Sequence, residues 1–423
     1  MTALDPNLNG LRVAILNWRD PWHPEAGGAE RYAWEMGRGL ATRGASVSFV
    51  TARAPGQSHR DRRDGIAITR LGGRFTVYPL ALAWLLVHRR SFDAVLDCQN
   101  GIPFFTPVVL PRRVPVLCVM HHVHQAQFGV HFPPWLAWAG RMAEGPAARL
   151  AYRHHACVAV SPSTVTAMRE RLRWRGDIYL IPNGVPAPPP AAAPSRRSLV
   201  MVGRLVAHKR AERILPIAER LGRGGLAVDV VGQGPNSAAL AADIAARGLT
   251  GAVHLHGFLP EAEKQAVVSG ALLHLSTSQG EGWGLCVLEA AAAGVPTVAY
   301  DVEGLRDAVR DGETGWLVGD GELIEDVTER AVTELADPAR RAAVAAACRA
   351  WAAQFSWDRS ATRMAALISA SVRTGTSRAG RAGAWIVSGG EVAEGPVLDL
   401  LLRQGSVLLR PATATERLLG RTP

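Results

Sequence analysis

Short apolar runs alternate with longer amphipathic stretches along the first half of the chain. In residues 29–43, the apolar side chains Ala33, Met36 and Leu40 recur at helical spacing, and Gly44 follows as a stop. This alternation predicts parallel strands that are joined by covering helices. The predicted strands span residues 11–17, 45–51, 94–97, 114–120, 156–160 and 178–181.

A second alternating series follows a segment rich in proline and alanine. Residues 186–197 contain the run Pro-Ala-Pro-Pro-Pro-Ala-Ala-Ala-Pro, which is typical of a semi-rigid linker. We therefore predict one α/β domain in residues 1–185 and another in residues 198–350. Residues 371–423 are poorly patterned, apart from one short element expected at 397–402. The strands predicted in the second domain span residues 198–202, 227–231, 252–255, 272–276, 296–300 and 315–318.

Length and composition narrow the class of protein. A chain of 423 residues exceeds one typical core and favours two domains. No segment reaches the roughly 20 apolar residues that cross a bilayer, and residues 1–10 lack the pattern of a signal peptide, so we expect a cytoplasmic location. The five cysteines lack the paired spacing of a zinc site or a disulfide framework.

The net charge of +10 is concentrated in the first half of the chain. Residues 1–185 contain 22 arginines and 12 acidic residues, whereas the remainder has 25 basic and 25 acidic residues. A basic surface attracts an anionic partner, such as a lipid headgroup layer or nucleic acid; a solvated arginine-rich surface is the plainer interpretation. Only Lys209 and Lys264 are lysines, so a lysine at a chemically sensible position carries unusual weight.

Glu281 and Glu289 bracket the most informative segment of the sequence. An apolar run precedes it, two glycines open it, and a helical pattern with a glycine stop ends it. A strand, a glycine turn and a helix N-terminus together form an anion site. If the segment were helical throughout, the two carboxylates would lie roughly 12 Å apart along the axis, at about 1.5 Å per residue, which suits a nucleotide sugar.

Two further glycine turns follow predicted strands of the second domain. Gly203 precedes Arg204 and Lys209, two cations that could hold a diphosphate through a planar fork and a point charge. Both could also be ordinary surface cations, but the rarity of lysine favours a function. Gly232 begins the turn Gly-Gln-Gly-Pro, which by itself is more often structural than ligand-binding.

The first domain has its own glycine turn at residues 27–30, Gly-Gly-Ala-Glu, which opens the first helix. This turn could offer backbone N–H groups to a diphosphate or could simply cap the helix, and it is not the dinucleotide fingerprint. His121, His122 and His124 follow a predicted strand, but their spacing suits a metal poorly. We expect His121 to face an interdomain cleft. The segment around Trp135 and Trp138 could contact a membrane or pack in the core.

Taken in order, these motifs resemble those of the retaining glycosyltransferases of family 4, the group 1 glycosyl transferases. The resemblance implies the GT-B architecture, in which two Rossmann-like domains with parallel sheets face an interdomain cleft. It also implies that a C-terminal helix, expected at residues 351–370, crosses back to the first domain. The motifs that carry the resemblance are Gly27-Gly28-Ala29-Glu30, Asn183-Gly184-Val185, Val202-Gly203-Arg204-Leu205 with Lys209, Val231-Gly232-Gln233-Gly234-Pro235 and the segment from Glu281 to Glu289.

The resemblance implies transfer of a hexosyl group from a nucleotide diphosphate sugar to an acceptor hydroxyl, with retention and without a metal or another cofactor. Arg204 and Lys209 would bind the diphosphate, Glu281 would bind the sugar hydroxyls, and His121 or His122 would lie beside the anomeric carbon. The implied donor-binding residues are Gly28, Gly203, Gly232, Gly282, Trp283, Gly284, Leu285 and Glu289, the last on the ribose.

The acceptor side and several alternatives stay open. The donor base and sugar are undetermined, and the acceptor would be a glycan, a glycolipid or a small molecule. The basic first domain favours peripheral contact with an anionic membrane at its inner face, without nucleic acid as a partner. The alternatives are a noncatalytic nucleotide-sugar-binding protein, a basic nucleic-acid-binding protein, and a phosphorylase-like enzyme with pyridoxal phosphate on Lys209 or Lys264.

Overall fold

The computed structural model describes residues 6–186, 198–374 and 407–409. It divides the chain into a first unit, Met1–Gly184 with Trp357–Pro423, and a second unit, Val185–Ser356. Nearly all of the expected linker (186–197), the element expected at 397–402 and most of the tail lie outside the described residues.

The strands follow the predicted alternation closely. They are β1 (Arg12–Leu16), β2 (Ser46–Thr51), β3 (Arg60–Arg63), β4 (Ile66–Arg70), β5 (Ala94–Gln99), β6 (Val116–Met120), β7 (Ala156–Ala159), β8 (Ile178–Leu180), β9 (Ser198–Val202), β10 (Ala227–Val231), β11 (Val253–Gly257), β12 (Leu273–Ser276), β13 (Thr297–Tyr300), β14 (Gly315–Val318) and β15 (Val407–Leu409).

The helices cover both sheets. They are α1 (Gly28–Thr42), α2 (Val77–Val87), α3 (Gln125–His131), α4 (Pro134–Met142), α5 (Ala148–Ala151), α6 (Pro162–Glu170), α7 (Leu215–Leu221), α8 (Ser237–Ala246), α9 (Glu261–Ser269), α10 (Leu285–Ala292), α11 (Leu305–Ala308), α12 (Ile324–Glu334), α13 (Pro338–Ala352) and α14 (Trp357–Thr374). Among the described residues, no helix combines the length and the apolar character needed to cross a membrane.

The first unit contains a nine-stranded sheet in the order β15-β8-β7-β6-β5-β1-β2-β4-β3. Its central strands pair in parallel, while β3 and β15 run antiparallel to their neighbours. β3, β4 and α2 had not been predicted. The β3–β4 hairpin was missed because β3 is a charged edge strand, Arg-Asp-Arg-Arg, without an apolar alternation.

The second unit contains a six-stranded parallel sheet in the order β11-β10-β9-β12-β13-β14. Numbered from β9, this is the 3-2-1-4-5-6 order of doubly wound α/β folds. The strand order reverses between β9 and β12, and ligands of such sheets bind outside the strand ends at that point. The prediction of two α/β domains built on parallel sheets is therefore confirmed.

The last helix, α14, packs against α1 in the first unit. The two backbones approach so closely that a Cβ on Gly39 would lie 2.1 Å from the Cβ of Ala361. Arg43 Nη2 donates to Asp358 Oδ1 at 2.7 Å nearby. Helix α14 begins at Trp357, later than the expected residue 351. Immediately before it, Ser356 forms an isolated parallel β-bridge with Val185.

Candidate functional site

Two loops of the second unit meet where its strand order reverses. The first follows β9 and contains Gly203, Arg204 and Lys209, while the second follows β12 and contains Glu281. Residues that are far apart in sequence thus come together at the carboxyl ends of two adjacent strands. This is the position at which a doubly wound sheet offers a ligand site.

Lys209 and Glu281 form an ion pair between the two loops. Their side chains are only 18% and 19% exposed, and Ser278 Oγ donates a further hydrogen bond to Glu281 Oε1 at 2.7 Å. Burial alone would lower the pKa of Lys209, but the Glu281 carboxylate outweighs burial and raises it. Burial opposes ionisation of Glu281, yet Lys209 and Ser278 hold its pKa below the ordinary value. Both groups are charged at neutral pH.

Arg204 lies in the same loop and is exposed. Its charge is close enough to Lys209 to oppose protonation of that amine. The two cations therefore form one positive region beside Glu281, and binding of a diphosphate by this loop stays a prediction.

Lys264 on α9 forms a second ion pair at the other end of the bracketed segment. Its Nζ lies 2.8 Å from Glu289 Oε2 and 3.0 Å from Glu261 Oε1. Burial favours the neutral amine, but Glu289 outweighs it and raises the pKa of Lys264. A pocket here is lined by Val202, Lys264, Gln265, Val268, Cys286, Glu289 and Ala293. Each lysine of the chain therefore pairs with one of the two glutamates.

Backbone contacts hold the loop that carries Glu281. Gln279 N donates to His208 O at 2.8 Å, and Glu281 N donates to Glu303 O at 2.9 Å. Gly304 has φ +76°, and a Cβ there would lie 2.3 Å from the carbonyl oxygen of Glu281. A side chain at Gly304 would thus displace the backbone of Glu281.

Gly232 brings the β10 loop against the β9 loop. A Cβ at this position would lie 1.9 Å from the carbonyl oxygen of Gly203, so only glycine permits the contact. Gly203 N donates to Val231 O at 3.0 Å beside it. These glycines shape the strand ends at the switch point.

The glycine turn between the two glutamates is not helical. Helix α10 begins only at Leu285, after Gly282 and after Gly284 in the left-handed conformation with φ +77°. The helical estimate of roughly 12 Å along the axis is therefore wrong for this segment. The helix that the sequence predicted at the end of this segment is present from Leu285 to Ala292, and its N-terminus follows the glycine turn.

Trp283 occupies an apolar position in this turn. Its side chain is 4% exposed and makes an edge contact with Phe355, at 5.1 Å between ring centroids. Its indole Nε1 has no hydrogen-bond partner among the described residues. The side chain of Trp283 therefore anchors the turn to the second unit, and only its backbone is available at the glycine turn.

In the first unit, the turn at residues 27–30 forms one half of a capping box, because the N-cap residue Gly27 has no side chain. Gly27 N donates to Glu30 Oε2 at 2.8 Å, and Gly28 is the first residue of α1. Glu30 is itself buried, with Arg19 Nε 3.6 Å from its other carboxylate oxygen. The capping interpretation of this turn is thus directly visible.

His121 follows β6 and is 6% exposed. Its ring packs edge-on against Tyr32, with centroids 5.1 Å apart, and its Nε2 has no hydrogen-bond partner among the described residues. Burial, followed by the charge of His124, lowers the pKa of His121 to about 3. His121 is consequently a neutral imidazole at physiological pH. His122 is half-buried and makes an edge contact with His124.

Within the described ranges, no three His, Cys, Asp or Glu side chains are grouped as a metal site. Sequence reasoning had assigned no donor-site role to Ser278 or Gly304, and it had considered Lys264 only as a pyridoxal phosphate lysine in the phosphorylase-like alternative. The rarity of lysine could have singled out Lys264, because only one other lysine exists and it had already been chosen. Ser278 and Gly304 carry no comparable signal in the sequence.

Two family models match the chain. Residues 26–187 match "Glycosyltransferase Family 4", and residues 189–351 match "Glycosyl transferases group 1". The two matches together span most of the chain. The chain belongs to glycosyltransferase family 4. The family expected from the motifs is thereby confirmed.

Curated relatives match this chain over part of their length. A D-inositol 3-phosphate glycosyltransferase of Thermobispora bispora is 38% identical over 199 residues, which cover 42% of this chain and 46% of the relative. A GDP-mannose-dependent alpha-(1-6)-phosphatidylinositol monomannoside mannosyltransferase of Mycolicibacterium smegmatis is 42% identical over 90 residues, covering 21% and 23%. The chain thus matches less than half the length of these relatives.

Solved structures share the fold of this chain over most of its length. Sucrose-phosphate synthase from Thermosynechococcus elongatus superposes with a TM-score of 0.71 at 20% identity and covers 84% of this chain and 97% of its own. HepE of Anabaena, solved with UDP and glucose, gives a TM-score of 0.65 at 18% identity and covers 85% and 99%. These likenesses confirm the expected GT-B fold class.

Proposed function

We propose that this glycosyltransferase moves a sugar from a nucleotide diphosphate sugar to an acceptor hydroxyl, with retention at the anomeric carbon and without a metal. One observation carries the proposal: the two lysines of the chain pair with the two glutamates at the switch point of the second sheet. A nucleotide sugar carries a diphosphate, which needs cations, and sugar hydroxyls, which need carboxylate acceptors. This site supplies both.

Charge determines how the site would act. In glycosyl transfer the anomeric carbon becomes oxocarbenium-like while negative charge collects on the departing diphosphate. Lys209 and Arg204 would stabilise that charge. A diphosphate beside Lys209 competes with Glu281 for the ammonium, which leaves the Glu281 carboxylate available to the sugar hydroxyls. Glu289, held by Lys264, would accept hydrogen bonds from the ribose.

The proton balance needs no separate base. The acceptor hydroxyl would attack from the face that the diphosphate leaves, and the departing phosphate oxygen would take its proton. His121 is neutral, so it would offer a polar ring edge and no charge. The backbone at residues 282–284 would approach the sugar and the phosphate, and Gly28 would approach the diphosphate.

Thermal shift tests donor binding directly. GDP, UDP and their sugars, including GDP-mannose, UDP-glucose and UDP-N-acetylglucosamine, are compared, and a specific nucleotide should raise the Tm by mass action.

Lys209→Ala and Glu281→Ala should each lower turnover by at least about 100-fold, the scale of one oriented electrostatic contact. Arg213→Ala, an exposed cation nearby, is the matched control. Near-normal turnover in either site variant would contradict the assignment, and the anomeric configuration of the product tests retention.

The names of the curated relatives suggest acceptors to try. They include an inositol phosphate and a phosphatidylinositol mannoside. We therefore propose a soluble or lipid-linked polyol as the acceptor class, to be tested with inositol 3-phosphate and phosphatidylinositol in parallel reactions. If the protein binds a donor but transfers sugar to neither acceptor, soluble and lipid-linked polyols are excluded as its acceptor class.

A lipid-linked acceptor is supported by the outer surface of α2. Leu80, Leu86 and Val87 are 45%, 45% and 80% exposed, although they belong to an almost wholly apolar helix. Exposed arginines lie on both sides of the helix, at Arg74 before it and at residues 89–90 after it. An apolar helix face flanked by arginines is typical of an interfacial membrane contact.

The tryptophan segment lies on the same face of the sheet. Helix α4 exposes Trp135 and Trp138, at 70% and 63%, and continues through a π-helical turn into α5. Side chains of α2 and α5 pack into the same core cluster, so both helices cover one sheet face. Amphipathic tryptophan rings prefer the boundary between water and lipid.

Charge favours an anionic bilayer as the occupant of this face. Between residues 65 and 169 the acidic residues are Asp93, Asp97 and Glu144. Asp97 and Glu144 are fully buried, and Asp93 pairs with Arg12 at 3.0 Å. The exposed charges of this segment are therefore arginines. A two-fold dimer through the same face would place like charges opposite one another.

Vesicle sedimentation tests the contact. Binding should be stronger to vesicles with anionic lipid than to zwitterionic ones, and Leu86→Glu with Val87→Glu should abolish it. Leu323→Glu, which changes an exposed leucine of the second unit, is the control and should bind as the wild type does. Equal binding to both vesicle types would contradict the proposal. A concentration-dependent dimer that Leu86→Glu disrupts would assign the face to a second copy.

A further inference from the structure

A residue next to Lys209 has a backbone conformation that side chains normally avoid. Arg210 has φ +48° and ψ +48°, in the left-handed region, and connects two short 3-10 turns. In this region the Cβ of an L-residue crowds the following carbonyl oxygen. Such a conformation persists only where surrounding contacts hold it, and it is enriched at functional sites.

The side chain of Arg210 provides those contacts. Its Nε donates to Thr277 O at 2.9 Å, and its Nη2 donates to Ser278 O at 3.1 Å. The guanidinium also lies over the ring of Tyr300, 4.4 Å from the centroid. A planar fork suits two neighbouring carbonyl groups, and the aromatic ring fixes the plane of the fork.

The two carbonyl groups belong to the loop that carries Glu281. Ser278 Oγ donates to Glu281 Oε1, and Thr277 Oγ1 donates to Lys209 O at 2.7 Å. Arg210 therefore follows Lys209 directly in the chain, and its side chain is hydrogen-bonded to the loop that carries Glu281.

We propose that Arg210 is a positioning residue, whose left-handed backbone aims a guanidinium clamp at the β12 loop and so keeps Glu281 beside Lys209. The clamp is a property of the folded second unit. Its effect on rate rests on the proposed glycosyl transfer, because a displaced Glu281 would meet the donor sugar poorly. A misplacement of about 1 Å at a reacting site can cost about 100-fold in rate.

Arg210→Gly separates positioning from stability. Glycine adopts the left-handed conformation freely, so the variant loses the clamp and also loses the backbone strain. We expect its Tm to fall only modestly, because relief of the strain offsets part of the lost contacts, while kcat per folded molecule falls about 10- to 100-fold and KM for the donor changes less. For a residue that acted only structurally, activity would follow the folded fraction and kcat per folded molecule would be unchanged.

Two further variants sharpen the comparison. Arg210→Lys keeps the charge but has a point donor in place of a fork, so it should restore only part of kcat. Arg213→Ala removes an exposed arginine from the following turn and should leave both kcat and Tm unchanged. A wild-type kcat in Arg210→Gly would overturn the proposal.

Amide hydrogen exchange tests the clamp without any donor. Gln279 N donates to His208 O across the two loops, and its exchange should be about 10-fold faster in Arg210→Gly, with β12 unchanged. Faster exchange together with no donor binding by the wild type would leave the clamp standing and remove the proposed function. Unchanged exchange at residues 277–281 would overturn the clamp.

Discussion

Removing the charge of one partner from the Lys209–Glu281 pair should cost stability that removing both charges restores. Lys209→Met and Glu281→Gln each leave one charge in a site where the side chains are less than one-fifth exposed. Breaking a fully buried pair costs about 3–5 kcal/mol, whereas replacing both members is often neutral. Because water still reaches part of this pair, we expect about 2–3 kcal/mol for each single variant.

The expected loss is measurable as a melting temperature. For a domain of the size of the second unit, about 1 kcal/mol shifts the Tm by about 2–4 °C, so each single variant should melt about 4–12 °C lower. The double variant Lys209→Met with Glu281→Gln should lie within about 1 kcal/mol of the wild type. Differential scanning calorimetry with urea denaturation gives the coupling energy of the double-mutant cycle.

Activity should not follow this recovery. All three variants should lose turnover by at least about 100-fold, because the double variant regains stability without regaining either charge. A wild-type Tm in either single variant would refute the reasoning. So would a double variant whose loss equals the sum of the two single losses, since the two charges would then be independent.

Four further outcomes are expected. Because Lys209 depresses the pKa of Glu281 below 4.5, its charge stabilises the fold above that pH, and the Tm difference between wild type and Glu281→Gln should shrink as the pH falls through the folded pKa. Burial lowers the pKa of His121 from 6.5 in the unfolded chain to about 3 in the fold, so the free energy of unfolding should rise from pH 4 to 6.5. The variant His121→Asn should flatten that slope in urea titrations. Lys264→Ala should weaken nucleotide binding about 10-fold by calorimetric titration, since it releases Glu289, whereas Glu261→Ala should change it little. Gly304→Ala should lower both Tm and turnover, because its Cβ would strike the Glu281 carbonyl; wild-type values would show that the loop can shift.

The sequence predicted the sheets well because their strands are apolar runs of the correct length. Residues 198–202, 227–231 and 315–318 are strands with the predicted bounds. α2 was missed because its apolar side chains surround the helix and show no helical periodicity. β3 was missed because its side chains are charged.

The candidate site could be predicted only as separate motifs. Glycine turns and acidic residues after strands indicated an anion site, and the order of the motifs indicated the family. The pairing of Lys264 with Glu289 depends on how α9 packs beside α10, which no local pattern encodes. The left-handed backbone of Arg210 could not be predicted either, because only glycine in a sequence indicates a positive φ.

The position of α14 has a consequence for synthesis on the ribosome. The first unit takes eight of its nine strands from the start of the chain, but it requires residues 357–374 to cover α1 and takes its edge strand β15 from residues 407–409. At about 5–20 residues per second, roughly 10–40 seconds separate the emergence of its last central strand from that of this helix. The later-encoded second unit is continuous in sequence and can therefore finish folding first. Until α14 arrives, the nascent first unit exposes the surface around Gly39.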